Sequence, residues 1–121
     1  MTALIELPWP PKQLSPNARL HWRAVHKAKS AYKLECVTLL RPLMPPRVSD
    51  GRLPITVTIC PPDNRKRDRD NIQASLKYAL DCVAKWLGVD DYLFDPSYTF
   101  GEPVKGGRIS ILIGSAEMVA R

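Results

Sequence analysis

Between Asn64 and Asp91 two pairs of carboxylates stand among charges of the opposite sign. Asp68 and Asp70 flank Arg69, the cations Arg65, Lys66 and Arg67 run straight into them, and Asp90-Asp91 follows one helical pattern later. Carboxylates two residues apart offer the oxygen ligands a hard divalent cation takes, usually one or two carboxylates completed by water and substrate phosphate. Two such ions, roughly 3.5 to 4 Å apart, clamp the attacking and leaving oxygens of a phosphodiester. Extended backbone through residues 68–70 would turn both carboxylates to one side and Arg69 to the other. A plainer use stays open: an Asp ahead of Asn71 caps a helix and complements its dipole, and Asp90-Asp91 after Gly88 suits a solvated turn. One Asp can cap while its neighbour binds metal.

The wider charge pattern names the partner class. The formal net charge is +6, and the cations gather at Arg19 to Lys33, at Arg65 to Arg69, and at Lys105 with Arg108. Such clustering suits a phosphate backbone, so Arg65, Lys66, Arg67, Arg69, Arg19, Arg23, Lys27, Lys77, Lys105 and Arg108 are the candidate DNA contacts. No apolar run is long enough to span a bilayer, no secretory signal opens the sequence, and no glycine-rich loop of the nucleotide-binding kind precedes a helix. Neither a membrane nor a nucleotide cofactor is therefore expected. Three widely spaced cysteines, Cys36, Cys60 and Cys82, predict packing or free thiols in a reducing, cytoplasmic setting. His21 and His26 have no partner at metal-ligand spacing and are expected to be surface polar residues.

These residues need elements to position them. At 121 residues the chain, 1–121, is expected to form one domain. Leu4 to Leu7 is a short strand candidate stopped by the stiff loop Pro8-Trp9-Pro10-Pro11. Trp22, Val25, Ala28, Tyr32, Cys36, Leu39 and Leu40 recur at helical spacing, with the basic rows Arg23/Lys27 and Lys29/Lys33 beside that face. Residues 42–54 read as a loop, and Ile55 to Cys60 alternates as a half-buried strand. Ile72, Leu76, Ala79, Leu80, Val83, Trp86 and Leu87 mark a second amphipathic helix that Gly88 stops in the left-handed conformation. After a turn at Asp95-Pro96, residues 98–104 and 108–113 predict a C-terminal β-hairpin turned at Gly106-Gly107. The expected class is α+β: a small mixed β-sheet with two main amphipathic helices and that hairpin.

Taken together, Leu7-Pro8-Trp9-Pro10-Pro11, Asp68-Arg69-Asp70-Asn71 opening a helix, Asp90-Asp91 after it and Pro103-Val104-Lys105-Gly106-Gly107-Arg108 resemble the RusA family of Holliday junction resolvases. The likeness covers nearly the whole chain, in order and at compatible spacing. It implies a homodimeric, magnesium-dependent endodeoxyribonuclease of phage or prophage type that resolves four-way DNA junctions by paired symmetric cuts in recombination and repair, leaving 5′-phosphate ends. It also implies catalytic carboxylates at Asp68, Asp70 and Asp91, joined by Asp90 in holding one or two Mg²⁺, with Mn²⁺ as the substitute. The setting implied is the cytoplasm of a bacterial host. Trp9 is the candidate wedge at the crossover. Where the family often carries a lysine three residues past the asparagine, this chain has Ala74, and its nearest helical lysine is Lys77, which either takes over that role or pairs with Asp81. A nuclease for flaps or other branched DNA, and a non-cleaving junction-binding protein, are the alternatives.

One continuous helix over residues 71–87 would be roughly 25 Å long and hold Asp70 and Asp91 near opposite ends. Four residues return at most about 14 Å. A shared site then calls for Asp68 and Asp70 of one chain beside Asp91 of another, related by a two-fold axis.

Overall fold

A computed structural model describes residues 3–16, 20–48 and 51–114. Strand β1 (Ala3–Leu7) is followed by helix α1 (Trp22–Leu40), strand β2 (Leu53–Cys60), helices α2 (Arg69–Ser75) and α3 (Lys77–Leu87), and strands β3 (Phe94–Phe100) and β4 (Arg108–Ile113). The strands form one four-stranded sheet in the order β1-β4-β2-β3. β4 runs antiparallel to both β1 and β2, and β3 runs parallel to β2. This is the mixed α+β fold that the alternation of patterns predicts.

The centre of the sheet follows from side-chain alternation. Leu53, Ile55, Val57 and Ile59 of β2 and Ile109, Ile111 and Ile113 of β4 are buried, while the residues between them point to the other face. Pairing registers line these positions into rows such as Leu7, Ile109, Ile59 and Phe100, and Ile5, Ile111, Val57 and Tyr98. Branched aliphatic side chains on a pleated surface stack well in such rows. The helices cover this face, α3 through Ala79, Cys82, Val83 and Ala84 and α1 through Tyr32, Cys36 and Leu40. Small residues on α3 let the two helices approach closely. Burial pushes the Cys36 thiol up to about 12 and raises the Cys82 thiol and the Tyr32 phenol. All three cysteines are free and buried, as packing residues should be.

Four expectations change. The C-terminal hairpin is absent: β2 lies between β3 and β4. Gly106 and Gly107 do turn the chain at positive φ, but Gly101 N–H donates to Ile59 O (2.9 Å) and Val104 N–H to Pro61 O (2.8 Å). Those bonds carry residues 101–107 across the end of β2, whose two edges both need a partner strand because it is the most buried strand. Pro96 sits within β3 instead of in a turn, which is tolerated because β3 is an edge strand. Trp22 and Leu39 are exposed although they fit the helical period of α1, because only its Tyr32, Cys36 and Leu40 stripe is fully covered. The second helix is broken at Leu76, whose φ of −83° and ψ of −5° replace the α-helical step with a tighter turn, Leu76 N–H to Gln73 O (3.1 Å). Gly88 at φ 75° ends α3 as expected, with Val89 N–H bonded to Ala84 O.

Candidate active site and nucleic-acid interface

β2 and β3 are parallel, so the crossover between them through α2 and α3 starts at the carboxyl end of β2 and returns to the amino end of β3. The acidic loop therefore lies at the end of the sheet where β2 and β3 finish. Arg69 confirms the placement, its guanidinium resting 4.3 Å from the centre of the Phe100 ring. β1 finishes and β4 begins at this same end, because each is antiparallel to its neighbour. That brings the Trp9 loop, the Lys105-Gly107 turn and Arg108 to one pole with Asp68. Tyr32 O–H donates to Pro8 O (2.8 Å), which ties the middle of α1 to the Trp9 loop, and Lys27 and Trp9 line one groove. Arg23 and Lys27 occupy the positive end of the α1 dipole, so their charges add to it. Arg65, Lys66, Arg69, Lys27, Lys105 and Arg108 thus reach this pole from three segments of the chain, with Arg23 one turn nearer the start of α1. Arg19 lies outside the described residues.

Asp68 is the N-cap of α2: its Oδ1 accepts from the amides of Asp70 (2.9 Å) and Asn71 (3.3 Å). The extended geometry considered for residues 68–70 is replaced by a helical first turn, because the cap satisfies amides that have no partner inside the helix. One Asp68 oxygen remains for another ligand. The carboxylate of Asp70, in the first turn of α2 and exposed, takes no hydrogen bond or ion pair among the described residues. Asp90 also caps, accepting from Tyr92 N–H (3.2 Å), and leaves the exposed Asp91 carboxylate free.

Asp91 does not join Asp68 and Asp70. It precedes β3, and Arg69 packs on the far end of that strand, roughly 20 Å away at about 3.3 Å per residue. Among the described residues no three His, Cys, Asp or Glu side chains gather as a cation site. Asp91 instead shares a groove of about 230 Å³ with Gln73, Lys77 and Tyr98, between the helices and β3. Asp91 also borders a second groove with Lys33, Asp81 and Lys85, so it stands between Lys77 on one side and Asp81 on the other. Ala74 is exposed on α2.

Local contacts engage Arg67 and Trp9. Arg67 is not a free phosphate contact: its guanidinium donates to Asp63 Oδ1 (2.8 Å), to Asp63 O (3.1 Å) and to Arg65 O (3.2 Å), and its side chain is only 18% exposed. Trp9 is half-buried, with Arg67 over its ring at 5.7 Å and Gly107 against its base. Arg108 is partly engaged by Glu6 at 3.8 Å. Lys29 and Lys33 pack over the Tyr78 ring, so that part of the basic row on α1 holds α3 in place.

Sequence reasoning missed Asp63, which organises the basic loop. It accepts from the Arg65 amide and from the side chains of Arg65 and Arg67, and these bonds, the amide first, hold its carboxyl below the usual range. The i,i+4 spacing of Asp63 and Arg67 was the available signal. Phe100 as the platform for Arg69 left no signal, because a parallel register joins residues far apart in sequence. His21 has a structural task, its Nδ1 accepting from Arg23 N–H (3.1 Å) as the cap of α1.

No family model matches the chain. A protein of Xylella fastidiosa (strain Temecula1 / ATCC 700964), described as an uncharacterized protein, is 37% identical over 93 residues, covering 74% of this chain and 61% of that protein. The chain thus spans about three fifths of that relative's length. A match of this extent includes the acidic loop, whichever end of the chain it leaves out. No helix among the described residues is long and apolar enough to cross a membrane.

Proposed function

We propose that this chain is a magnesium-dependent, structure-specific endodeoxyribonuclease of the RusA type, resolving four-way DNA junctions as a homodimer in recombination and repair. The observation that carries the reading is the convergence, at one pole of the sheet, of Asp68 and Asp70 with cations from three segments of the chain. A surface that served only solubility has no need to fold an arginine inward onto Asp63 in order to present two exposed carboxylates among cations.

The donor set fits a hard divalent ion, because every free ligand atom offered is a carboxylate oxygen. Asp68 through its uncapped oxygen and Asp70 would hold it, completed by Asp91 of a second copy of the chain. When bound, the ion supplies Lewis-acid polarisation of the phosphodiester and an activated water. The protein's own contribution is positional. The Asp70 and Asn71 amides fix the Asp68 carboxylate. Asp63 braces the loop through Arg67, and Arg65, Lys66 and Arg69 bind the strand through phosphates, with strong salt dependence and little base information. Junction preference then rests on dimer shape and on the deformability of branched DNA.

The test is cleavage of a synthetic four-way junction in Mg²⁺ by wild type and Asp70→Asn, with flap and linear duplex controls. Paired symmetric nicks by wild type alone support the proposal. Preferential flap cleavage moves the substrate class, and tight junction binding by both proteins without cutting makes the chain a junction-binding protein.

A further inference from the structure

Arg67 and Ile72 form a ridge between two depressions, one of which Asp68 lines. On one side a cleft of about 490 Å³ is lined by Arg65, Lys66 and Arg69 with Phe100 as floor. On the other a pocket of about 270 Å³ is walled by Trp9, Pro10 and Pro11, with Lys12, Asp68 and Asn71 among its polar groups beside Ser15 and Ser75. Arg67 and Ile72 border both. The basic cleft accounts for phosphates. The aromatic pocket has no part in the proposed chemistry, and its lining is of another kind.

Its size lies just below the roughly 300–1,000 Å³ of pockets that take cofactor-sized ligands, so its occupant is one ring system. Flat apolar walls of indole and proline suit the face of such a ring. The Asn71 side-chain amide takes no hydrogen bond among the described residues, although its backbone amide is used by Asp68. A free carboxamide offers one donor and one acceptor side by side, the pattern that pairs with a base edge. Lys12 puts an ammonium at the rim, where a nucleotide's phosphate would lie. The wall is built to stay open: Gly107 packs so tightly on Trp9 that a Cβ there would lie 2.8 Å from the Trp9 Cβ, and Arg67 fixes the ring from another side.

We infer that this pocket receives a single unpaired nucleobase of the bound DNA strand, next to the phosphate held by Arg65, Lys66 and Arg69, with Asn71 reading its edge. The inference rests on the DNA-junction reading above. A base enters such a pocket only after leaving the stack, at a cost of a few kcal/mol that is smallest where pairing is already interrupted, as at a crossover. The basic cleft and the pocket then divide one strand between them, backbone to one side of the ridge and base to the other. Base preference at a single position follows, from a protein whose other contacts are to phosphate.

The test uses four-way junctions carrying 2-aminopurine at one position at a time around the crossover, bound by Asp70→Asn so that the strand stays intact. The expected result is an emission change of about two-fold or more at one position per strand, as a base leaves the stack. Asn71→Leu should abolish that change while junction affinity, read by anisotropy, stays within about three-fold, since phosphate contacts carry affinity. Binding with no position-specific change, in the Asn71-containing protein itself, overturns the pocket assignment and leaves the nuclease reading standing. Absence of any junction binding overturns both.

Discussion

Replacing Gly107 with alanine strains the fold and the candidate site through one contact. Gly106 and Gly107 both adopt positive φ, 80° and 75°, where an L side chain costs about 1–2 kcal/mol. Around Gly106 there is open space, so Gly106→Ala pays little beyond that backbone cost. At Gly107 the new methyl would lie 2.8 Å from the Trp9 Cβ and 2.9 Å from its Cγ. Carbon atoms prefer about 3.5–4.0 Å, so the pair has to separate by most of an ångström. The Trp9 Cβ is attached to backbone between prolines and cannot swing away as a side-chain tip could, so an overpacking cost of about 1–3 kcal/mol is added. Gly107→Ala should therefore destabilise by about 2–5 kcal/mol, at least about 1 more than Gly106→Ala. Urea unfolding of the two variants, with unchanged slope, measures the difference as a shift in midpoint. Because the same displacement moves Trp9 under Arg67, Gly107→Ala should also weaken junction cleavage more than Gly106→Ala does. Equal midpoints for the two variants would refute the packing of Trp9 on Gly107 and with it the rigid wall of the pocket.

Asp68→Ala should lose about 0.5–2 kcal/mol with the N-cap, whereas Asp68→Asn, which caps equally well, should unfold at the wild-type midpoint yet fail to cut junctions; retained cleavage by the Asn variant would remove Asp68 from the chemistry. Asp63 has a carboxyl held below its ordinary value, so its stabilising effect is present above the unfolded carboxyl's pKa of about 3.9 and is lost as pH falls through the lower folded value. Below about pH 4, Asp63→Asn should accordingly lose less stability than wild type, and parallel acid limbs would show the Asp63 bonds to be absent in solution. Cys36 titrates at about 12 in the fold against about 8.5 in an unfolded chain, so its contribution is complete below the unfolded value and fades as pH rises from there toward 12. Urea midpoints should thus decline above about pH 9, less steeply in Cys36→Ala, and a thiol reagent should label the three buried cysteines only after unfolding.

What the sequence reveals here and what it hides have physical reasons. β2 is legible because strict alternation of β-branched residues has a single burial solution, and α3 because its apolar stripe and Gly88 agree on where it runs and ends. The neighbours of β2 are not legible: parallel pairing with β3 is decided by a crossover through two helices, and no residue of Phe94–Phe100 records it. Gly106-Gly107 announces a turn truly but cannot say which strands the turn joins, which is why a hairpin is expected where the chain crosses an intervening strand. The break at Leu76 carries no glycine or proline to mark it. In the site, the cap at Asp68 is written in the local sequence, since a short acid before a helix has few other uses. Arg67 reads as one cation among four; its i,i+4 spacing to Asp63 hints at the pairing, but the stacking on Trp9 is set by the fold alone.

The separation of Asp91 from Asp68 and Asp70 bears on how two cuts are coupled. The helix break at Leu76 could have folded α3 back toward the acidic loop, yet α2 and α3 still carry the chain from one end of β3 to the other. A site using all three carboxylates is then built from two chains, the acidic loop of one against the Asp91 groove of its partner, with Lys77 arriving beside Asp91. A two-fold axis makes two such sites, matching the symmetry of a four-way junction. Mixing two inactive variants distinguishes the arrangements. In a heterodimer of Asp70→Asn and Asp91→Asn chains, sharing concentrates both lesions in one site and leaves the other whole, so single nicks should return without paired cuts. If each chain completed its own site, both would be damaged and the mixture would stay inactive. Inactivity in a sample whose heterodimers are verified by native mass spectrometry would therefore reject the shared site, and nicking on one strand would establish it.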